Sequence, residues 1–298
     1  MKCKIYLVKI LKISIFLFSL AFLVYILFDN YQTIKNNELF DRKYIAIEII
    51  ILSIIYAFIF TFVAIAWKSI VENISHKKIS NSLVWVWLKT NIYKYLPGNV
   101  FHYAGRHILA KQIGIKHNIL LKSNIVEILL MLSTSLIISS VILLLFYNFN
   151  INEYLNVINK NIVYIGLFIY GIILIAFSKY KNIDLLSYKN TIIYYGIFFI
   201  GIGFIAYIVL NYQMGINCSF LMITAIYTFA WLVGFVTPGA PGGIGVRESI
   251  FVVFSNGLLS MSDALVLSMV LRISNIIGEI ILFIIAEKML IKYKKELE

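Results

Sequence analysis

Two stretches of the chain gather residues able to hold an anion. The first runs from Lys94-Tyr95-Leu96-Pro97-Gly98-Asn99 to Gly105-Arg106, and the second is Thr237-Pro238-Gly239-Ala240-Pro241-Gly242-Gly243-Ile244-Gly245-Val246-Arg247-Glu248. They hold all three prolines, Pro97, Pro238 and Pro241, and in each an arginine, Arg106 or Arg247, stands nine positions after the proline of a Pro-Gly pair. Proline withholds an N–H and glycine admits positive φ, so both stretches leave backbone groups without helical partners. Gly239, Gly242, Gly243 and Gly245 let backbone N–H groups approach an anion, and Arg247 adds a forked charge suited to phosphate. Alone, the glycine loop reads equally well as a turn between helices; the matching arginine at 106 favours a binding role. Asn99 and His102, beside the first break, are expected to add hydrogen bonds.

Three ionisable residues, Glu127, Arg272 and Glu279, stand inside apolar runs. A charge at the centre of a bilayer costs about 2.5 to 3.5 kcal/mol on the mildest scale, so these side chains must face protein or water. Arg272 and Glu279 lie two helical turns apart, roughly 10 Å, too far to pair, so each needs its own partner. Arg272 is expected either to join the binding group or to form a structural ion pair; Glu127 and Glu279 are candidates for coupling to a proton or ion, with a snorkelling or locally paired role equally open for Glu127. The histidines, His76, His102, His107 and His117, lack the i, i+4 spacing of a helical ligand pair, and only Cys3 and Cys218 are present. Neither a metal site nor a cofactor is expected.

These residues are set in a chain that only a membrane can position. Of 298 residues, 61% are hydrophobic and 13% charged, against about a quarter charged in soluble domains. A large soluble catalytic domain is thereby excluded. Apolar runs at 13–28, 44–67, 119–147, 162–177, 191–210, 220–236 and 264–286 read as seven spans, the first as an uncleaved one. Two shorter stretches, 83–93 and 250–259, fall short of a span and read as re-entrant or interfacial. The fold expected is all-α, a polytopic integral membrane protein with seven or eight transmembrane helices, two segments of it broken, forming a single domain over 1–298.

The net charge of +12 is concentrated between spans: +4 in 1–12, zero in 29–43, +8 in 68–122, zero in 148–160 and +2 in 178–190. This alternation places both termini and the long 68–122 segment in the cytoplasm, and makes topology and anionic lipid, rather than nucleic acid, the reading of the basic residues. Parity then requires residues 237–260 to cross or fold back. The two breaks lie 141 residues apart, about half the chain. Paired Pro/Gly interruptions in the two halves of a polytopic protein point to a transporter site built from broken helices.

The two motifs together resemble the flippase-like membrane domain of lysylphosphatidylglycerol synthases, and the resemblance covers nearly the whole chain. Glu127 and Arg272 match a glutamate early in the helix after the first motif and an arginine in the last long helix of that family; where the family often continues Glu-Arg and then Asp, Ile128 follows Glu127 here. The resemblance implies re-entrant helices, internal pseudo-symmetry and the movement of an amphipathic lipid between leaflets, in envelope lipid, glycolipid or polysaccharide biosynthesis. Twelve residues follow Ala286, so the soluble aminoacyl-transfer domain of the larger synthases is not expected.

The expected function is therefore translocation of a phosphate-bearing lipid, an anionic phospholipid or a polyprenyl-phosphate-linked lipid, across the cytoplasmic membrane. Two rivals stand beside it. An integral-membrane glycosyl or headgroup transferase would need a carboxylate base, and Asp29, Glu38, Asp41 and Glu153 are scattered. A scaffold for a synthase or glycosyltransferase partner would leave the buried charges idle.

Overall fold

The computed structural model describes residues 44–95, 100–147, 171, 185–237, 241–243 and 245–295. The expected spans at 13–28 and 162–177 lie essentially outside these residues. Among the described residues the chain forms eight α-helices: α1 (Ile45–Ser75), α2 (Ser82–Asn91), α3 (Phe101–Gln112), α4 (His117–Tyr147), α5 (Lys189–Ile208), α6 (Phe220–Val236), α7 (Val246–Ser255) and α8 (Met261–Lys295). One turn of π-helix, Val209–Gln213, extends α5. Four helical stretches, Ile45–Ser75, His117–Leu144, Leu186–Gln213 and Met261–Tyr293, are long and apolar enough to cross a bilayer, and α6 is a shorter apolar helix. At 1.5 Å per residue α2, α3 and α7 are only about 15 to 18 Å long, half a bilayer.

The long helices are apolar on every side. On α1, Leu52, Tyr56, Ile59, Phe60 and Val63 are buried, while Ile47, Ile51, Ile54 and Phe58 form an exposed stripe. A helix in water would carry polar residues on that stripe; one in lipid need not. Where two helices cross, small residues let backbones approach. A Cβ on Gly278 of α8 would stand 2.7 Å from the carbonyl oxygen of Ser53 on α1, and one on Gly203 of α5 would stand 2.2 Å from the Thr224 hydroxyl of α6.

The element order repeats. α1-α2-α3-α4 and α5-α6-α7-α8 each run long helix, shorter helix, break, half-length helix, long helix, and at the 141-residue spacing of the two Pro-Gly pairs the helix starts superimpose to within three or four residues. Packing exchanges the halves: α2 lies on α8, α6 lies on α4, and α1 lies along α5. The helix leading into each break, α2 or α6, is thus packed on the last long helix of the opposite half.

Candidate functional site

The first break begins where α2 tightens into a 3₁₀ turn, Ile92–Tyr95, and ends where α3 restarts at Phe101. The second begins at Thr237, held extended (φ −70°, ψ 116°) as a residue before proline must be. A 3₁₀ turn over Pro241–Gly243 follows, with Gly242 and Gly243 at φ 59° and 74°. Pro97, Gly98, Asn99, Pro238 and Gly239 lie outside the described residues. The breaks touch: a Cβ on Gly242 would stand 2.9 Å from the Tyr95 ring. Only glycine allows both the left-handed backbone and that contact.

Between them lies a cavity of about 50 Å³, room for a few waters or one small oxyanion group. Asn91 and Lys94 come from the first break's approach, His102 and Arg106 from α3, and Gly242, Gly243 and Arg247 from the second break. Glu127 and aromatic side chains, Trp87, Tyr103 and Trp231 among them, complete the wall.

Each cation is held differently. The Arg106 guanidinium donates from Nη1 to Glu127 Oε2, and the Trp87 indole donates to Glu127 Oε1 at 2.7 Å. Arg106 also lies over the rings of Trp67 and Trp87, 4.8 and 4.9 Å from their centroids. Both members of the pair are almost wholly buried, at 1% and 2% exposure. Glu127 is therefore not a snorkelling side chain; its partner lies on another helix, 21 residues upstream. Lys94 donates to Glu279 Oε1 at 2.6 Å, and the Tyr56 hydroxyl donates to the same oxygen at 2.9 Å.

Arg247 has no carboxylate within ion-pair distance among the described residues. Its guanidinium lies 5.2 Å from the Trp231 ring centroid. Its stem fills a slot that two glycines leave open, since a Cβ on Gly234 would stand 2.3 Å from Arg247 Cγ and one on Gly243 would stand 2.7 Å from Arg247 Nε. Arg247 Nε is buried without a hydrogen-bond partner among the described residues.

The structure thus brings His102, Arg106, Gly242, Gly243, Arg247 and Glu127 around one cavity, and leaves three expected members, Gly245, Arg272 and Glu279, off its wall. Gly245 is exposed, with its N–H donating to Glu248 Oε2 at 2.7 Å. Arg272 does not line the cavity. It donates from Nη2 to the Gly242 carbonyl at 3.1 Å and lies 3.8 Å from Glu248 Oε1, so it braces the second break. Glu279 reaches the cavity only through Lys94. As their separation requires, Arg272 and Glu279 have different partners.

Sequence reasoning did not single out Lys94, Asn91, Trp87, Trp231 or Gly234. Lys94 stands three residues before Pro97 inside the first motif, the one signal that marks it; the others look like ordinary packing residues in one dimension. His107 and His117 meet, with Nε2 and Nδ1 2.6 Å apart, but no third metal-ligating side chain joins them among the described residues. No family model, curated protein or solved structure matches the chain.

Proposed function

We propose that the chain translocates a phosphate-bearing amphipathic lipid between the leaflets of the cytoplasmic membrane, with the polar end in the cavity between the two breaks and the acyl or prenyl chains in the bilayer. The observation that carries this reading is Arg247: a half-buried guanidinium whose Nε is buried, without an acidic partner among the described residues, on a cavity shared by two interrupted helices. A charge partly withdrawn from water without a counter-charge is costly unless an opposite charge reaches it. An anionic group is the natural complement.

The same arrangement argues against a transferase. The cavity's carboxylate, Glu127, has both oxygens engaged, by Arg106 and by Trp87, and so is not free to serve as a general base. In the proposed topology seven or eight segments enter the membrane, both termini are cytoplasmic, and α7 with the second break forms the segment that folds back. The test is reconstitution of purified protein in liposomes carrying a fluorescent phospholipid, with outer-leaflet fluorescence quenched by a membrane-impermeant reductant. Protein should bring inner-leaflet lipid into reach of the quencher, and Arg247→Ala should slow this at least about tenfold, as loss of a charge-assisted contact predicts. Equal rates with and without protein, or with and without Arg247, would overturn the reading.

A further inference from the structure

The cavity's polar atoms can be sorted by what they lack. Among the residues lining it, the buried polar atoms without a hydrogen-bond partner are Asn91 Nδ2, His102 Nδ1, Arg106 Nε and Arg247 Nε. All are nitrogens. The two arginine atoms can only donate, and the Asn91 amide and His102 ring can each donate. Both Glu127 oxygens are engaged. What is missing is therefore an acceptor-rich group.

The charges can be counted in the same way. Arg106 is compensated by Glu127, Lys94 by Glu279 and Arg272 by Glu248. Arg247 alone is not, so among the described residues around the cavity four cations stand with three carboxylates and the surplus is one positive charge. A group of charge −1 neutralises that surplus. A group of charge −2 leaves an uncompensated negative charge in a site partly withdrawn from water, where its penalty exceeds that in bulk solvent.

We propose that the cavity takes one singly charged oxyanion, the phosphodiester of a lipid headgroup, and discriminates against phosphomonoesters and pyrophosphates in their dianionic or more highly charged forms. This rests on the translocation reading of the same cavity and narrows its substrate class. A glycerophospholipid linked through its phosphate qualifies, as does a polyprenyl phosphate esterified to a sugar; a bare polyprenyl phosphate does not.

The experiment compares two soluble short-chain lipids on the purified full-length chain in uncharged detergent: a phosphatidylglycerol, singly charged throughout, and a phosphatidic acid, whose second proton leaves near pH 6 (about 6 for a phosphate monoester). Calorimetric affinities are measured at pH 5.5 and pH 8. The groups facing the cavity that can titrate are Lys94, His102, Tyr103 and Glu127, and measuring both lipids at each pH compares them on the same protonation state of the site. The phosphatidic acid should weaken relative to the phosphatidylglycerol by at least about tenfold between the two pH values, following loss of its monoanion. Arg247→Gln should weaken both ligands, with unliganded thermal stability confirming the fold; Gly234→Ala, which crowds Arg247, should do the same.

A phosphatidic acid that binds as well or better at pH 8 would overturn the charge count while leaving translocation standing. Inorganic phosphate binding as tightly as the phosphatidylglycerol would make the site one for a free anion and overturn the lipid reading. Failure of both lipids to bind folded wild-type protein would overturn both.

Discussion

The Arg106–Glu127 pair is the most demanding test of the site's construction. Glu127 sits 2% exposed between two donors, the Arg106 guanidinium and the Trp87 indole. Glu127→Ala would leave Arg106 at 1% exposure with only the rings of Trp67, Trp87 and Tyr103 for company. Removing one partner of a buried pair typically costs about 3 to 5 kcal/mol, whereas replacing both with apolar residues of similar volume is often close to neutral. Each single substitution, Glu127→Ala or Arg106→Met, should therefore destabilise the protein by about 3 to 5 kcal/mol. The double variant Arg106→Met/Glu127→Met should fall short of the summed costs by at least about 2 kcal/mol, a coupling expected of residues in direct contact. Unfolding by a denaturing detergent in mixed micelles, followed by tryptophan fluorescence, measures all three. Single costs below about 1 kcal/mol, the level of exposed pairs, or strictly additive costs, would mean that water reaches the pair and that the cavity is not built as described.

Other outcomes follow from individual contacts. Gly278→Val places side-chain carbon within 2.7 Å of the Ser53 carbonyl and should cost about 1 to 3 kcal/mol by overpacking α8 against α1, measured by the same unfolding assay. Tyr56→Phe removes one of two donors to Glu279 Oε1 and should cost about 1 kcal/mol, leaving the Lys94 pair in place. His107, outside the membrane-crossing helices, is held below the usual histidine range by partial burial first, and then by the neighbouring His117 and Lys111. A folded-state histidine that resists protonation contributes stability that is complete above the unfolded value and declines as pH falls below it. Backbone exchange protection at the α3–α4 turn, corrected for intrinsic rates, should therefore weaken from pH 7.5 to pH 5, and His117→Ala should flatten that dependence.

How much of this was legible in one dimension follows from which interactions are local. Hydropathy located α1, α4, α5, α6 and α8 to within a few residues, except that α1 and α8 continue eight or nine residues past their expected ends, because amphiphilic turns extend a helix beyond its lipid-buried part. The half-length stretches became α2 and α7 for the reason that marked them, apolar runs too short to cross. Arg106 and Arg247 were legible because the Pro-Gly pairs index them. Lys94 was not: a lysine at the edge of an apolar run looks like an interfacial anchor until α8 brings Glu279 against it. The pairing of Arg106 with Glu127 was equally hidden, since nothing in the spacing says that α3 folds back onto α4. Gly234 looked like a helix filler, and only the side chain occupying the space beside it gives it a role.

The exchange of helices between halves bears on how the protein can be made. When α1 to α4 have entered the membrane, the seat on α4 that α6 will occupy is still bare, and α2 still awaits α8. The first half is therefore a docking template rather than a finished unit, and must persist in the bilayer until the second is synthesised. Two polypeptides divided in the segment between α4 and α5 and expressed together should find each other and rebuild the whole, whereas either fragment alone should be degraded.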